Sequence, residues 1–251
     1  MTGMTASFTL GRRAALAAVY FERFGLSLAY FCLAWVHLHR LWISGAGPGV
    51  AGGALLADIA RQVIQLQLEF YVGILLLLGR RAAVLPQKLK DVAIPLAATF
   101  FNATYSAVSW LPFALRANLF PAGLQASFAA AGLLLNVAGL AVAIWAALYL
   151  GRSFGVLVEV KQVVMDGAYR RIRHPMYLGY LCLLAGLLLA NGSVALLLLV
   201  PIHMGLLVYR ARLEEERLCE CSPEYGEYRK RSGFLFPRWR RLESDGGGTR
   251  A

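Results

Sequence analysis

The chain of 251 residues is 59% hydrophobic and only 16% charged, and its apolar residues come in long blocks. Soluble globular domains are about 25% charged, so the composition excludes that class and predicts an all-α, multi-pass helical membrane protein. The formal net charge of +11 would suit nucleic acid, but the basic residues lie in the gaps between apolar blocks, where membrane topology explains them. We therefore predict no nucleic-acid partner.

Six apolar segments follow one another and give the predicted order of spans. They cover residues 24–42, 63–78, 92–113, 124–150, 176–190 and 194–209. Of the 25 lysines and arginines, all but Arg40, Arg61 and Arg116 lie in the two termini and in every second loop. Lysine and arginine favour the cytoplasmic side. The pattern predicts six spans with both termini in the cytoplasm, in a bacterial inner membrane in preference to the endoplasmic reticulum.

The chain divides into two parts. Residues 1–150 hold spans one to four and no motif that we recognise. Residues 151–251 hold a basic connection, the hairpin of spans five and six with a tight turn at 191–193, and a soluble C-terminal tail that starts as a charged helix. The fourth span is the longest, and we expect it to be tilted or broken near Gly139.

A polar, basic stretch over residues 166–179 interrupts the apolar pattern and contains Arg170, Arg171 and Arg173. The residue before a proline disfavours helix, and proline suits the first turn of a new one. We therefore expect His174 to precede a helix that begins at Pro175.

A second polar cluster follows the hairpin and contains Arg210 and the glutamates at 214–216. Folding the hairpin brings both clusters to one membrane face, where their opposite charges could hold a zwitterionic ligand. The alternative is a solvated helix start with (i, i+4) pairs such as Arg210–Glu214.

Glu69 is the one acid well inside an apolar segment. Ionisable groups within a membrane are expensive to bury and point to function, so we assign Glu69 to the acceptor side of a reaction centre. A hydrogen bond between packed helices is the alternative. Cys219 and Cys221 are two apart on a predicted helix and point to different faces, so we predict no metal site.

Four motifs along the second part carry a resemblance to a known family. They are G-A-Y at Gly167–Tyr169, R-H-P-x-Y-x-G at 173–179, E-E-x-x-L at 214–218 and E-Y-x-x-Y-x-x-R at 224–231. With these motifs, residues 151–239 resemble the bacterial branch of the isoprenylcysteine carboxyl methyltransferase and phospholipid methyltransferase group of integral membrane enzymes.

The resemblance implies S-adenosylmethionine as methyl donor, held between the segment before span five and the helix after span six. It also implies that an arginine ahead of the glutamates, here Arg210, helps to hold the acceptor. Carboxylates suit the cationic and hydroxyl parts of such a cofactor, and arginine suits a carboxylate. The cofactor contacts carried over from the family are Val163, Val164, Tyr169, His174, Pro175, Met176, Tyr177, Gly179 and a glutamate at Glu214 or Glu215.

The sequence therefore predicts a membrane methyltransferase whose lipophilic acceptor enters from the bilayer. The acceptor is an isoprenoid or lipid carboxylate, a phospholipid amine, or a small thiol. Two other functions stay open. One is a lipid or sterol-type reductase with a nicotinamide cofactor in the same pocket, and the other is a non-catalytic membrane protein that retains the pocket.

Overall fold

The computed structural model of the chain describes residues 9–44, 66, 69–102, 104–105, 108 and 111–238. Within these ranges the protein is helical and forms no named strand, which confirms the predicted all-α membrane fold. A π-helical segment, Phe21–Leu26, joins the first two helices into one continuous rod. The helices are α1 (Arg12–Tyr20), α2 (Ser27–Ser44), α3 (Glu69–Leu78), α4 (Lys90–Phe100), α5 (Phe113–Arg116), α6 (Ala122–Leu150), α7 (Pro175–Ala190), α8 (Val194–Cys221) and α9 (Pro223–Arg231).

Three helical segments of the described chain are long and apolar enough to cross a membrane: Arg12–Ile43, Ala122–Ser153 and Val194–Cys221. The apolar helices α3 and α7 are shorter. The number of six spans therefore stays a prediction, while the multi-pass helical architecture is supported. Arg61 and the predicted loop around it lie outside the described residues.

Two predicted boundaries were wrong. The first helical segment that could span a membrane begins at Arg12, whereas the first span was predicted to begin near residue 24. The third predicted span is not one helix from residue 92 to 113, because α4 ends at Phe100 and the chain turns at 101–102. The Thr104 hydroxyl donates to the Phe101 carbonyl over 2.7 Å. Such side-chain bonds offer the backbone an alternative to the helix, and this polar stretch ends the helix early.

Four glycines, which we call the glycine seam, let α6 and α7 pack together closely. A Cβ placed on Gly139 would lie 2.7 Å from the Gly179 carbonyl oxygen, and one on Gly186 would lie 2.6 Å from that of Gly132. Small residues at helix interfaces allow this approach in membranes. Helix α6 runs unbroken to Leu150, so of the two expectations for this span, a tilt or a break near Gly139, the break was wrong. That glycine serves the contact with α7.

Replacing Gly139 with alanine should lower the midpoint of thermal unfolding in detergent. The added methyl group has no space beside the Gly179 carbonyl, and overpacking of this kind costs about 1–3 kcal/mol. Gly205→Ala is the matched control, because nothing lies within 4 Å of a Cβ at that position of α8. There the better helix propensity of alanine, worth about 1 kcal/mol, should stabilise the protein. Equal midpoints for the two variants would contradict the close packing of α6 and α7.

Helix α8 is tied to α4 at two levels by polar contacts. The His203 Nε2–H donates to the Ala98 carbonyl over 2.8 Å, and its Nδ1 lies 3.0 Å from the Tyr105 hydroxyl. Further along α8, Arg217 Nη2 lies 2.7 Å from Asp91 Oδ2. Both histidine nitrogens are satisfied, so His203 is a structural residue that fixes α8 against α4.

The two predicted parts of the chain share one hydrophobic core. Leu26 and Val72 pack in it together with Phe154 and Met176. The Glu22 carboxylate strengthens this junction, since its Oε1 accepts hydrogen bonds from the backbone amides of residues 156 and 157. The loop after α6 is thus anchored on the first helix, and this fixes one wall of the candidate site.

Candidate active site

The basic stretch before α7 and the glutamates of α8 meet at one end of the helical hairpin, as its folding requires. Helix α7 begins at Pro175, with His174 as the residue before it. The Tyr177 hydroxyl donates to Glu214 Oε1 over 2.5 Å, and Arg210 Nε donates to the same oxygen over 3.2 Å. One carboxylate oxygen therefore joins the first turn of α7 to the C-terminal half of α8.

Glu214 keeps its second carboxylate oxygen available. Within the described residues, both hydrogen bonds to Glu214 go to Oε1, and 24% of its side chain is exposed. Oε2 can therefore accept a hydrogen bond from a ligand. In the adjacent Glu215, by contrast, both carboxylate oxygens have partners.

Unlike Glu214, Glu215 has partners on both of its carboxylate oxygens. Its Oε1 lies 2.5 Å from Arg173 Nε and 3.1 Å from His174 Nε2, and its Oε2 lies 3.4 Å from Arg229 Nε. Only 5% of the side chain is exposed. Three partners from two segments surround this carboxylate, so it holds the basic stretch and α9 against α8.

Arg210 is fixed in one position by three contacts. Besides its bond to Glu214, its Nη2 donates to the Gly155 carbonyl over 3.2 Å, and its guanidinium carbon lies 5.5 Å from the centre of the Tyr177 ring. Cation–π contact and charge-assisted hydrogen bonds both favour this arrangement. The guanidinium thus connects the anchored loop after α6 with both helices of the hairpin.

The C-terminal tail, residues 232–238, closes over the basic stretch. The Arg173 amide donates to the Gly233 carbonyl over 2.8 Å, the His174 amide to the Phe234 carbonyl over 3.1 Å, and the Gly233 amide to the Arg171 carbonyl over 3.0 Å. A Cβ on Gly233 would lie 1.6 Å from the Phe236 carbonyl oxygen, so this turn of the tail needs glycine. The segment before α7 is thereby held to the tail by backbone hydrogen bonds.

The His174 ring lies between two aromatic rings. Its centre is 5.4 Å from that of Tyr177 and 4.8 Å from that of Phe234, both nearly edge-on. Only 5% of the histidine is exposed. The histidine therefore acts through its bond to Glu215 and through packing against Tyr177 and Phe234.

Tyr228 of α9, the second tyrosine of the E-Y-x-x-Y-x-x-R motif, binds the backbone of the basic stretch. Its hydroxyl donates to the Tyr169 carbonyl, and over 3.3 Å to the Ile172 carbonyl. Burial raises the pKa of Tyr228 to about 12, although its bond with Ser232 and the charge of Arg173 act in the opposite direction. The hydroxyl thus keeps its proton at neutral pH and stays a donor that holds the basic stretch.

The G-A-Y motif packs against the end of α6. Gly167 has a positive φ of 56°, and a Cβ there would overlap the Tyr149 ring, so the turn needs glycine. The Tyr169 side chain is buried in the core. Burial, and then the charge of Glu214, raises the pKa of Tyr169 above its ordinary value, so its hydroxyl keeps its proton at neutral pH.

The other predicted cofactor residues do not all face the polar cluster. Met176 and Pro175 are buried, and Met176 lies in the core. Val163 and Val164 are half-buried in the loop before the G-A-Y turn. Gly179, expected at the cofactor, faces α6 as part of the glycine seam. Its role in the structure is helix packing.

Sequence reasoning missed four contributors: Gly155, Tyr228, Gly233 and Phe234. Tyr228 and Gly233 could have been predicted, because Tyr228 lies in the E-Y-x-x-Y-x-x-R motif and Gly233 lies two residues after it. Gly155 and Phe234 act through a backbone carbonyl and a ring contact, for which a single sequence carries no pattern. Glu69 lies apart from this cluster, on α3.

Comparison with known proteins agrees with the motifs. Residues 126–221 match the family described as phospholipid methyltransferase. This stretch includes most of α6 and all of α7 and α8. The match confirms the resemblance to the isoprenylcysteine and phospholipid methyltransferases, and it supports a membrane methyltransferase.

The chain is also similar to the cobalt-zinc-cadmium resistance protein CzcN of Cupriavidus metallidurans, with 34% identity over 98 residues. The alignment covers 38% of this chain and 42% of that protein, so less than half of the relative's length is matched. Among the described residues of this chain, no group of three or more histidine, cysteine, aspartate and glutamate side chains could hold a metal ion.

Proposed function

We propose that this chain, whose residues 126–221 match the phospholipid methyltransferase family, is an integral membrane methyltransferase that uses S-adenosylmethionine and a lipophilic acceptor. The observation that carries the proposal is the position of Glu214. It lies between Tyr177 and Arg210, with one oxygen fixed and the other accessible. That arrangement coincides with the motifs that the family shares.

The donor groups of the site fit this cofactor. S-adenosylmethionine supplies an electrophilic methyl group on a sulfonium, and it also carries an ammonium, a carboxylate and ribose hydroxyls. The free oxygen of Glu214 can accept from the hydroxyl or ammonium groups. Arg170 and Arg171 are exposed beside the G-A-Y turn and suit an anionic group. Glu215 acts indirectly, because it orients the segment that carries His174 and Tyr177.

Methyl transfer needs donor and nucleophile held in line and away from water more than it needs an acid–base pair. The residues of this chain provide both conditions. The tail and the His174 ring cover the outer side of the pocket, and Arg210 is held rigidly between the two helices. Arg210 is therefore our assignment for the group that positions the acceptor on the membrane side.

The topology belongs to the same proposal. The basic loops, the candidate site and both termini lie on the cytoplasmic side, and the acceptor enters laterally from the bilayer of a bacterial inner membrane. The acceptor in this proposal is an isoprenoid or lipid carboxylate, a phospholipid amine or a small thiol.

The proposal is tested with purified full-length protein in a neutral detergent. Binding of S-adenosylmethionine is measured by calorimetry, with reduced nicotinamide adenine dinucleotide phosphate as competitor. Methyl transfer is then measured with labelled cofactor and native membrane extract. We expect cofactor binding and a labelled lipophilic product. Binding without any product would support a non-catalytic protein, and preferential binding of the nicotinamide would support a reductase.

A further inference from the structure

The loop after α6, residues 151–162, is a buried connection beside Arg210. The following side chains of the loop are at most 5% exposed: Phe154, Val156, Leu157 and Val158. The backbone amides and carbonyls of a buried loop are cut off from water, so they need partners within the protein. These partners decide where the loop lies. They therefore also decide where the Gly155 carbonyl lies, which accepts from Arg210 Nη2.

Three ionisable side chains enclose this part of the loop, and we call them the buried ion cluster: Glu22, Glu159 and Lys161. Glu22 is 2% exposed. Lys161 Nζ lies 2.9 Å from Glu159 Oε1, and these side chains are 6% and 1% exposed. A Cβ on Gly155 would lie 3.1 Å from Lys161 Nζ, 3.2 Å from Glu22 Oε1 and 3.4 Å from Glu159 Oε1. The three charged groups therefore converge on one glycine of the loop.

Glu22 and Arg210 bind opposite ends of one peptide group. Glu22 Oε1 accepts from the amide of Val156 and, over 3.2 Å, from the amide of Leu157. The Val156 amide and the Gly155 carbonyl belong to the same peptide group, which is planar and directs its N–H and its C=O to opposite sides. The carboxylate therefore sets the direction of the carbonyl that the guanidinium binds. Both hydrogen bonds are charge-assisted, and such bonds are the strong ones.

Lys161 holds the loop on the other side of Gly155. Its Nζ donates to the Phe154 carbonyl over 2.7 Å, so the peptide groups before and after the glycine are both bound to charged side chains. Within the described residues, neither carboxylate oxygen of Glu159 accepts a hydrogen bond. Apolar side chains would serve packing alone at a lower cost, because buried charges forfeit their hydration. The buried ion cluster therefore indicates a role in placing the loop.

We propose that Glu22 is a positioning residue for Arg210, and that it acts through the peptide group between Gly155 and Val156. The inference rests on the proposed function, in which Arg210 positions the acceptor. It gives the first helical segment, which carries no recognised motif, a part in the reaction centre. With its peptide partner fixed by Glu22 and Lys161, the guanidinium has one resting position. Without the carboxylate, the Gly155 carbonyl can turn away and release Arg210.

The test measures how fast phenylglyoxal, a reagent for guanidinium groups, modifies Arg210 in the full-length protein in neutral detergent, with peptide mass spectrometry as the readout. Glu22→Met keeps the length of the side chain and removes the carboxylate. In this variant we expect Arg210 to react about tenfold faster, the effect of one lost hydrogen bond to a charged group. Glu22→Gln keeps an oxygen that can accept from both amides, so it should restore most of the protection.

Arg217 is the internal control, because it lies on the same helix and its side chain is 7% exposed, against 11% for Arg210. Its modification rate should not change. Equal acceleration at Arg210 and Arg217 would mean that Glu22 serves general stability, and the inference would fail. It would also fail if Arg210 reacted equally fast in the wild type and in Glu22→Met.

Lys161→Met decides the question if Glu22→Met does not fold. It removes the bond to the Phe154 carbonyl, and Arg210 should again react faster while Arg217 does not; unchanged protection of Arg210 would overturn the inference. Methyl transfer from labelled S-adenosylmethionine to native membrane extract is measured on the same samples. A wild-type protein that transfers no methyl group loses the proposed function, whereas the modification rates decide the positioning of Arg210 by themselves.

Discussion

Replacing Glu214 with glutamine should lower the affinity of the purified protein for S-adenosylmethionine by roughly tenfold to a hundredfold. Glu214 offers an accessible oxygen while its other oxygen is held by Tyr177 and Arg210. A hydrogen bond to a charged group is worth about 1.5–3 kcal/mol, and each 1.4 kcal/mol corresponds to about a factor of ten in affinity. Calorimetric titration in detergent measures the change, and thermal unfolding reports whether the variant is folded.

The two neighbouring glutamates are internal controls of equal charge. Glu215→Gln removes the carboxylate that Arg173, His174 and Arg229 share, so we expect its main effect on the unfolding midpoint. Glu216→Gln changes an exposed pair and should alter neither quantity, since exposed ion pairs contribute little. A similar loss of affinity in all three variants would indicate a general electrostatic effect, and our assignment of Glu214 would then fail.

Replacing Arg217 with methionine should lower the free energy of unfolding by about 3 kcal/mol. Arg217 Nη2 and Asp91 Oδ2 are 2.7 Å apart, and 7% and 3% of the two side chains are exposed. Removing one partner of a buried pair costs about 3–5 kcal/mol, because the other charge stays buried. We expect the lower end of that range, since Asp91 still accepts from the amides of Gln87 and Lys88.

The control for this prediction lies one residue from Asp91 on the same helix. Lys90→Met breaks the pair with Glu216, whose side chains are 37% and 62% exposed, and it should cost less than about 1 kcal/mol. Both variants are compared by chemical unfolding in the same detergent. A loss for Arg217→Met as small as that for Lys90→Met would mean that the ion pair does not hold α4 against α8.

The order of the elements around the site was predictable from the chain. Pro175 predicted the start of α7, and the turn at 191–193 predicted the hairpin that brings Tyr177 to Glu214. The reason is local. Proline fixes φ and has no amide to lose at a helix start, and long apolar runs leave few other ways to fold in a membrane.

The choice between adjacent glutamates could not be predicted in this way. Glu214 and Glu215 follow one another on α8 and point about 100° apart. The E-E-x-x-L motif contains both and does not tell which of them contacts a ligand. Glu215 is enclosed because α9 folds back and brings Arg229 to it from 14 positions along the chain. Which carboxylate stays accessible is therefore a property of how α9 packs and not of α8 itself.

By itself, the sequence determined the class of protein, the placement of its basic loops and the segments that form the site. These follow from hydrophobicity, charge distribution and proline, which act over a few residues. Only the tertiary structure decided that Gly179 packs on Gly139, that Gly233 and Phe234 cover His174, and that Glu69 faces His37. Each of these depends on contact between segments far apart in the chain, where the fit of one surface to another decides which atoms meet.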